Sequence, residues 1–91
     1  MTYMIIEHFY EGKVKAIYER VVKEGRFIPE GVRYVDSWIN EEVTVCYQVM
    51  EADTREQLQR WLDNWKGYAD FEVIPVISSA EAKAKVLGTS A

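Results

Sequence analysis

Residues 31–51, GVRYVDSWINEEVTVCYQVME, constrain the fold more than any other stretch. They read as two β-strands, at about 32–39 and 43–51, joined by a polar Asn40-Glu41-Glu42 turn. Side chains alternate across a strand, and here large apolar groups stand at both parities, so this hairpin needs cover on both faces of its sheet. The rest of the chain is placed by asking what supplies that cover.

Residues 3–9 (YMIIEHF) form a short apolar run that ends at Glu11-Gly12 and reads as a strand buried on both faces. The period then changes. Val14, Ile17, Val21 and Val22 are spaced for a helix with one buried stripe, with charged residues between them and Gly25 as the stop. Pro29 and Gly31 punctuate the entry to the hairpin. After it, Asp53-Thr54-Arg55-Glu56 has the spacing of a capping box, and Leu58, Trp61, Leu62 and Trp65 give a second helical stripe ending near Gly67. Residues 71–77 (FEVIPVI) are a fourth strand, in which Pro75 lacks a ladder donor and so belongs at a sheet edge or bulge. Ser78-Ser79-Ala80-Glu81 caps a short final helix through about Leu87, and 88–91 form a tail expected to fray.

Strand, helix, strand, strand, helix, strand is the split βαβ order of a ferredoxin-like α+β domain, here one domain over 1–87. Right-handed crossovers and hairpin adjacency predict an antiparallel sheet in the order 4-1-3-2, with both helices on the same face. The opposite face is then bare although it is apolar. Leaving each large side chain wet forgoes roughly 1.5–3 kcal/mol, so the expected cover is a second copy, sheet against sheet. The length points the same way, since 91 residues bury only a thin core alone.

Several segments together resemble a known family: Ile6-Glu7-x-Phe9, the run 31–38 (GVRYVDSW), 46–51 (CYQVME) and 70–82 (DFEVIPVISSAEA). The family is one of small bacterial proteins of unknown function placed in the dimeric α/β-barrel superfamily, beside monooxygenase-like proteins of antibiotic biosynthesis and stress-responsive barrels. The resemblance implies a homodimer with a small-molecule cavity in each protomer. It does not select a reaction.

A formal net charge of -4 without a cluster of basic residues argues against nucleic acid as a partner. One cysteine, Cys46, excludes an intrachain disulfide and suits a reducing cytoplasm. The first apolar run lacks a basic flank and is too short to span a bilayer, so no membrane association is expected. One histidine and scattered carboxylates do not make a transition-metal site, and the helices carry no histidine for haem, so no metal or cofactor is expected.

The candidate site residues follow from strand parity. With an even-length hairpin loop, Tyr34, Asp36 and Trp38 share a face with Val45, Tyr47 and Glu51, while Arg33, Val35 and Ser37 share the other with Thr44, Cys46 and Gln48. On the first face Tyr34, Trp38 and Tyr47 can wall a pocket with Asp36 as base and the phenols as donors to an enolate; the plainer reading is aromatic packing, with Asp36 blunting an edge. On the second, Cys46 and Gln48 with Ser37, joined by His8, form a more polar set, and a Cys–His pair is a nucleophile only if the two touch. His8 is the natural group to titrate near neutrality and can pair with Glu72 or Asp70 at the strand end, or simply be solvated. Glu7 and Glu51 are further acids in the family pattern. The functional expectation is a small apolar or aromatic ligand, carbonyl-bearing if there is chemistry, undergoing cofactor-independent proton transfer or oxygenation. The alternative is a non-catalytic dimeric module whose own side chains fill its core.

Overall fold

A computed structural model describes residues 1–88. In chain order the elements are β1 (Thr2–Phe9), α1 (Val14–Glu24), β2 (Val32–Ile39), β3 (Val45–Ala52), α2 (Arg55–Asn64), β4 (Ala69–Val76) and α3 (Ser79–Leu87). The strands form one antiparallel sheet in the order β2-β3-β1-β4, the expected 4-1-3-2 read from the other edge, in a ferredoxin-like α+β arrangement. β1 is central because both of its neighbours pair with it along almost its full length, Glu7 opposite Cys46 on one side and Phe71 on the other. Pro75 lies on the edge strand β4, where its missing N–H costs no ladder bond on the solvent side.

The core sits between the inner sheet face and α1 and α2. Tyr3 and Ile5 of β1, Val32 of β2, and Met50 and Ala52 of β3 pack against Ile17 of α1 and Leu58, Trp61, Leu62 and Trp65 of α2. The outer face carries the other parity. Trp38, Tyr47 and Ile74 stand there exposed, with Met4, Ile6, Val45 and Val49 half-buried between them.

Four local features differ from the sequence expectation. The β2–β3 register slips between Tyr34, opposite Met50, and Asp36, opposite Val49, so Val35 bulges out and parity reverses along β2. Tyr34 therefore joins the inner face with Ser37, while Arg33 joins the outer face with Asp36 and Trp38. The hairpin loop is longer than a three-residue turn: Asn40 Oδ1 accepts from the N–H of Thr44 and Val45 at 2.8 Å each, and Val43 is held at φ 58. The cap of α2 falls one residue on, where Thr54 and Gln57 exchange the reciprocal capping-box bonds, because Asp53 is engaged elsewhere, by an ion pair with Arg33 at 3.2 Å. In α1 the buried stripe is Val14, Ile17 and Val21, while Val22 is 86% exposed, since it points roughly 100° away from the stripe's centre at 3.6 residues per turn.

α3 begins at the expected Ser78–Glu81 capping box but buries no residue. With it extended, the radius of gyration is 15.0 Å, against about 12 Å for a compact chain of this length. The expected tail, 88–91, lies outside the described residues beyond Gly88.

Candidate functional site

A cavity of about 150 Å³ opens between the inner sheet face and the two packed helices. Its floor is three neighbouring strands: Glu7 from β1, Cys46 and Gln48 from β3, Ser37 and Ile39 from β2. Ile17, Tyr18 and Val21 of α1 and Trp61 and Trp65 of α2 form the walls, and Arg26 enters from the α1–β2 loop.

The loop presents Arg26 by an unusual division of labour. Its backbone carbonyl accepts hydrogen bonds from two indoles, Trp61 Nε1 at 3.0 Å and Trp65 Nε1 at 3.1 Å. These satisfy two buried donors and pin the backbone to α2. The next residue, Phe27, is held at φ 59 and meets Trp65 edge-on, with the Arg20 guanidinium 4.3 Å from its ring centre. The Arg26 guanidinium itself lies 4.1 Å from the ring centre of Tyr34, whose hydroxyl hydrogen-bonds Ser37 Oγ at 2.6 Å. Stacking on an aromatic face orients a guanidinium without consuming its five donors. Among the described residues no carboxylate or carbonyl accepts from it.

Glu7 is equally unpartnered: its carboxyl takes no hydrogen bond or ion pair from the described residues. Its side chain is half-buried, shielded from bulk water but open to the cavity. Burial pushes its pKa from 4.5 up to about 7, partly offset by the positive charge of Arg26. Burial, reinforced by Glu7 and offset by Arg26, pushes the Cys46 thiol up to about 12. Tyr18 is raised as well, by burial first and then by Cys46 and Glu7. At neutral pH the cavity thus holds a neutral thiol, a neutral phenol, a fixed cation and one acid near its midpoint. Gln48 completes the floor. It is 2% exposed, and its amide finds only sulfur, donating to Met50 Sδ at 3.1 Å and facing the Cys46 thiol at 3.8 Å. Sulfur is a weak partner, so this amide retains hydrogen-bonding capacity.

Of the residues singled out from the sequence, Glu7, Ser37, Cys46 and Gln48 line the cavity, and Tyr34 supports it from beneath Arg26. The other five stand on the outer face, among them Glu51, which pairs with Arg33 at 3.3 Å. His8 pairs there with Glu72, Nε2 to Oε2 2.6 Å, on the opposite side of β1 from Cys46, so the two cannot act together. Asp36 is exposed and accepts from the Ser37 N–H at 2.8 Å. Trp38 and Tyr47 sit side by side in register, exposed. Arg26 carried no periodic or motif signal. Glu7 did carry one, as an acid inside an apolar strand at the parity of Tyr3, Ile5 and Phe9.

Residues 1–90 match the family described as Domain of unknown function (DUF3303). The chain belongs to the DUF3303 family. No curated protein and no solved structure matches this DUF3303 domain. No helix among its described residues is long and apolar enough to cross a membrane.

Proposed function

We propose that this DUF3303 protein is a homodimeric, small-molecule-binding α/β barrel whose cavity performs cofactor-independent proton transfer on a carbonyl compound. The observation that carries the reading is that Glu7 and Arg26 face one cavity and neither has a hydrogen-bond or ion-pair partner among the described residues. A buried carboxyl and a guanidinium left without protein partners are costly to the fold, and their use is in meeting a ligand.

The chemistry follows from their character. Glu7, with a pKa of about 7, is matched to general acid–base work at neutral pH. Its carboxylate removes a proton from the carbon beside a carbonyl, and the C–H electron pair moves into an enolate. The Gln48 amide donates to the enolate oxygen as its charge grows, and the Arg26 guanidinium lends its positive charge. Glu7 then returns the proton to carbon. Oxygenation without a cofactor would begin with the same deprotonation. Cys46, held neutral by burial, contributes volume rather than nucleophilicity.

The bare outer face supports the dimer. Trp38 at 58% exposure and Tyr47 and Ile74 at 42% each form an apolar surface of the kind soluble monomers seldom leave open. Sedimentation at micromolar concentration should give twice the protomer mass, and Trp38→Glu should halve it. A wild-type monomer would refute the assembly.

The activity is tested by following exchange of α-protons for deuterium by NMR in acetophenone, phenylacetaldehyde and phenylpyruvate. The expected result is exchange faster than in buffer for at least one compound, abolished in Glu7→Gln without a lower melting temperature. Exchange equal in both proteins would refute the role of Glu7, and buffer-level rates throughout would return the protein to a non-catalytic role.

A further inference from the structure

We infer that the ligand of this cavity is a single-ring organic acid, its carboxylate received by Arg26 and a distal hydroxyl or carbonyl by Gln48. The inference rests on the small-molecule reading above and narrows it by volume, by charge and by the spacing of the polar groups.

Volume sets the ring count. At about 150 Å³, the cavity matches in volume the engineered apolar cavity that accepts benzene, so one six-membered ring fills it. The indole walls of Trp61 and Trp65 favour a flat ring.

Charge sets the acid. Arg26 is the one permanently charged group lining the cavity, and its fork of donors matches a carboxylate. The groups that face Glu7 are Arg26 from the loop, Tyr18 from α1 and Cys46 from β3; α2 and β4 offer it only the uncharged Trp61, Trp65 and Phe71. Tyr18 and Cys46 stay neutral near pH 7, so when Glu7 holds its proton the cavity is cationic and favours an anion. When Glu7 ionises, its carboxylate competes with the ligand for Arg26.

Spacing sets the second polar group. Glu7 lies directly opposite Cys46, and Gln48 is two residues along the same face, which makes Glu7 and Gln48 diagonal neighbours roughly 7–8 Å apart at Cα. Arg26 acts on Glu7 through its charge and so stands at the Glu7 end of this diagonal, and a substituted ring lying over Cys46 runs from there toward Gln48. Gln48 is almost fully buried and holds only sulfur contacts, so it gains a better partner when such a ligand arrives.

Calorimetric titration with matched probes tests this on the native protein: 4-hydroxybenzoate, benzoate and 4-hydroxybenzyl alcohol, which keeps the ring and phenol but carries no charge. At pH 6, 4-hydroxybenzoate should bind at least tenfold tighter than the alcohol and several-fold tighter than benzoate. Arg26→Gln should erase the first difference and Gln48→Leu the second. NMR of the indole N–H signals should show Trp61 and Trp65 shifting while Trp38, on the outer face, does not. From pH 6 to pH 8 the affinity of 4-hydroxybenzoate should fall, by up to about tenfold per unit above the Glu7 midpoint, and stay flat in Glu7→Gln. Equal binding of acid and alcohol with Trp61 and Trp65 shifts would overturn the acid and leave the small-molecule reading standing. No binding of any probe at millimolar concentration would overturn both.

Discussion

Replacing Glu7 by glutamine isolates the electrostatic cost of the site. Glutamine is a near-isostere of the protonated carboxyl, so it removes ionisation while keeping shape. Below pH 4.5 Glu7 is neutral in both folded and unfolded chains and costs nothing by charge. Between 4.5 and about 7 the unfolded chain ionises while the native one keeps its proton, so stability falls as pH rises, and above 7 the whole penalty is present. A shift of that size, at about 1.36 kcal/mol per unit, amounts to about 3 kcal/mol, an upper value because water entering the cavity screens the charge. Urea unfolding followed by far-UV circular dichroism at fixed protein concentration, from pH 4.5 to 8, gives the measurement. Other titrating groups affect both proteins alike, so the gap between the two stability curves should widen by up to about 3 kcal/mol in favour of Glu7→Gln. Curves that stay parallel would mean that Glu7 is solvated like any surface acid, and the case for a ligand at this site would lose its main support.

Three further expectations concern the frame around the site. Val43 sits at φ 58, where a β-branched side chain is strained by roughly 1–2 kcal/mol, so Val43→Asn should stabilise the protein by about 1 kcal/mol in the same denaturation assay. Gly31 has φ +82, and a Cβ there would lie 2.3 Å from the Gln57 side chain that caps α2; Gly31→Ala should cost about 2 kcal/mol through backbone strain and a damaged cap, read as a lower urea midpoint. Cys46, 4% exposed with its thiol pushed up to about 12, should react with a disulfide reagent at pH 8 far more slowly than glutathione and at the free-thiol rate once unfolded.

The fold was largely legible because its signals are periodic. The spacing of Leu58, Trp61, Leu62 and Trp65 specifies a helix whose face is buried, and Pro75 restricts its strand to a sheet edge or a bulge, of which the edge is the one realised. The sequence places the capping box one residue early because Asp53-x-x-Glu56 and Thr54-x-x-Gln57 satisfy the same rule, and only the competition for Asp53 by Arg33 separates them. The bulge at Val35 carried no glycine or proline to announce it. That single slip moved Tyr34 away from Asp36 and Trp38, and so divided the aromatic pocket expected on one face. Arg26 was hidden for a different reason: its position depends on two indole bonds from residues 35 and 39 places along the chain, which local pattern does not encode.

The slip at Val35 gives β2 two reading frames. Upstream of it Arg33 looks outward and Tyr34 supports the cavity; downstream, Ser37 looks inward and Trp38 outward. Deleting Val35 would restore simple alternation and force a choice, turning either Tyr34 out from under Arg26 or Trp38 into the helical layer. One surplus residue thus lets a single eight-residue strand serve the chamber on one side and the bare aromatic surface on the other.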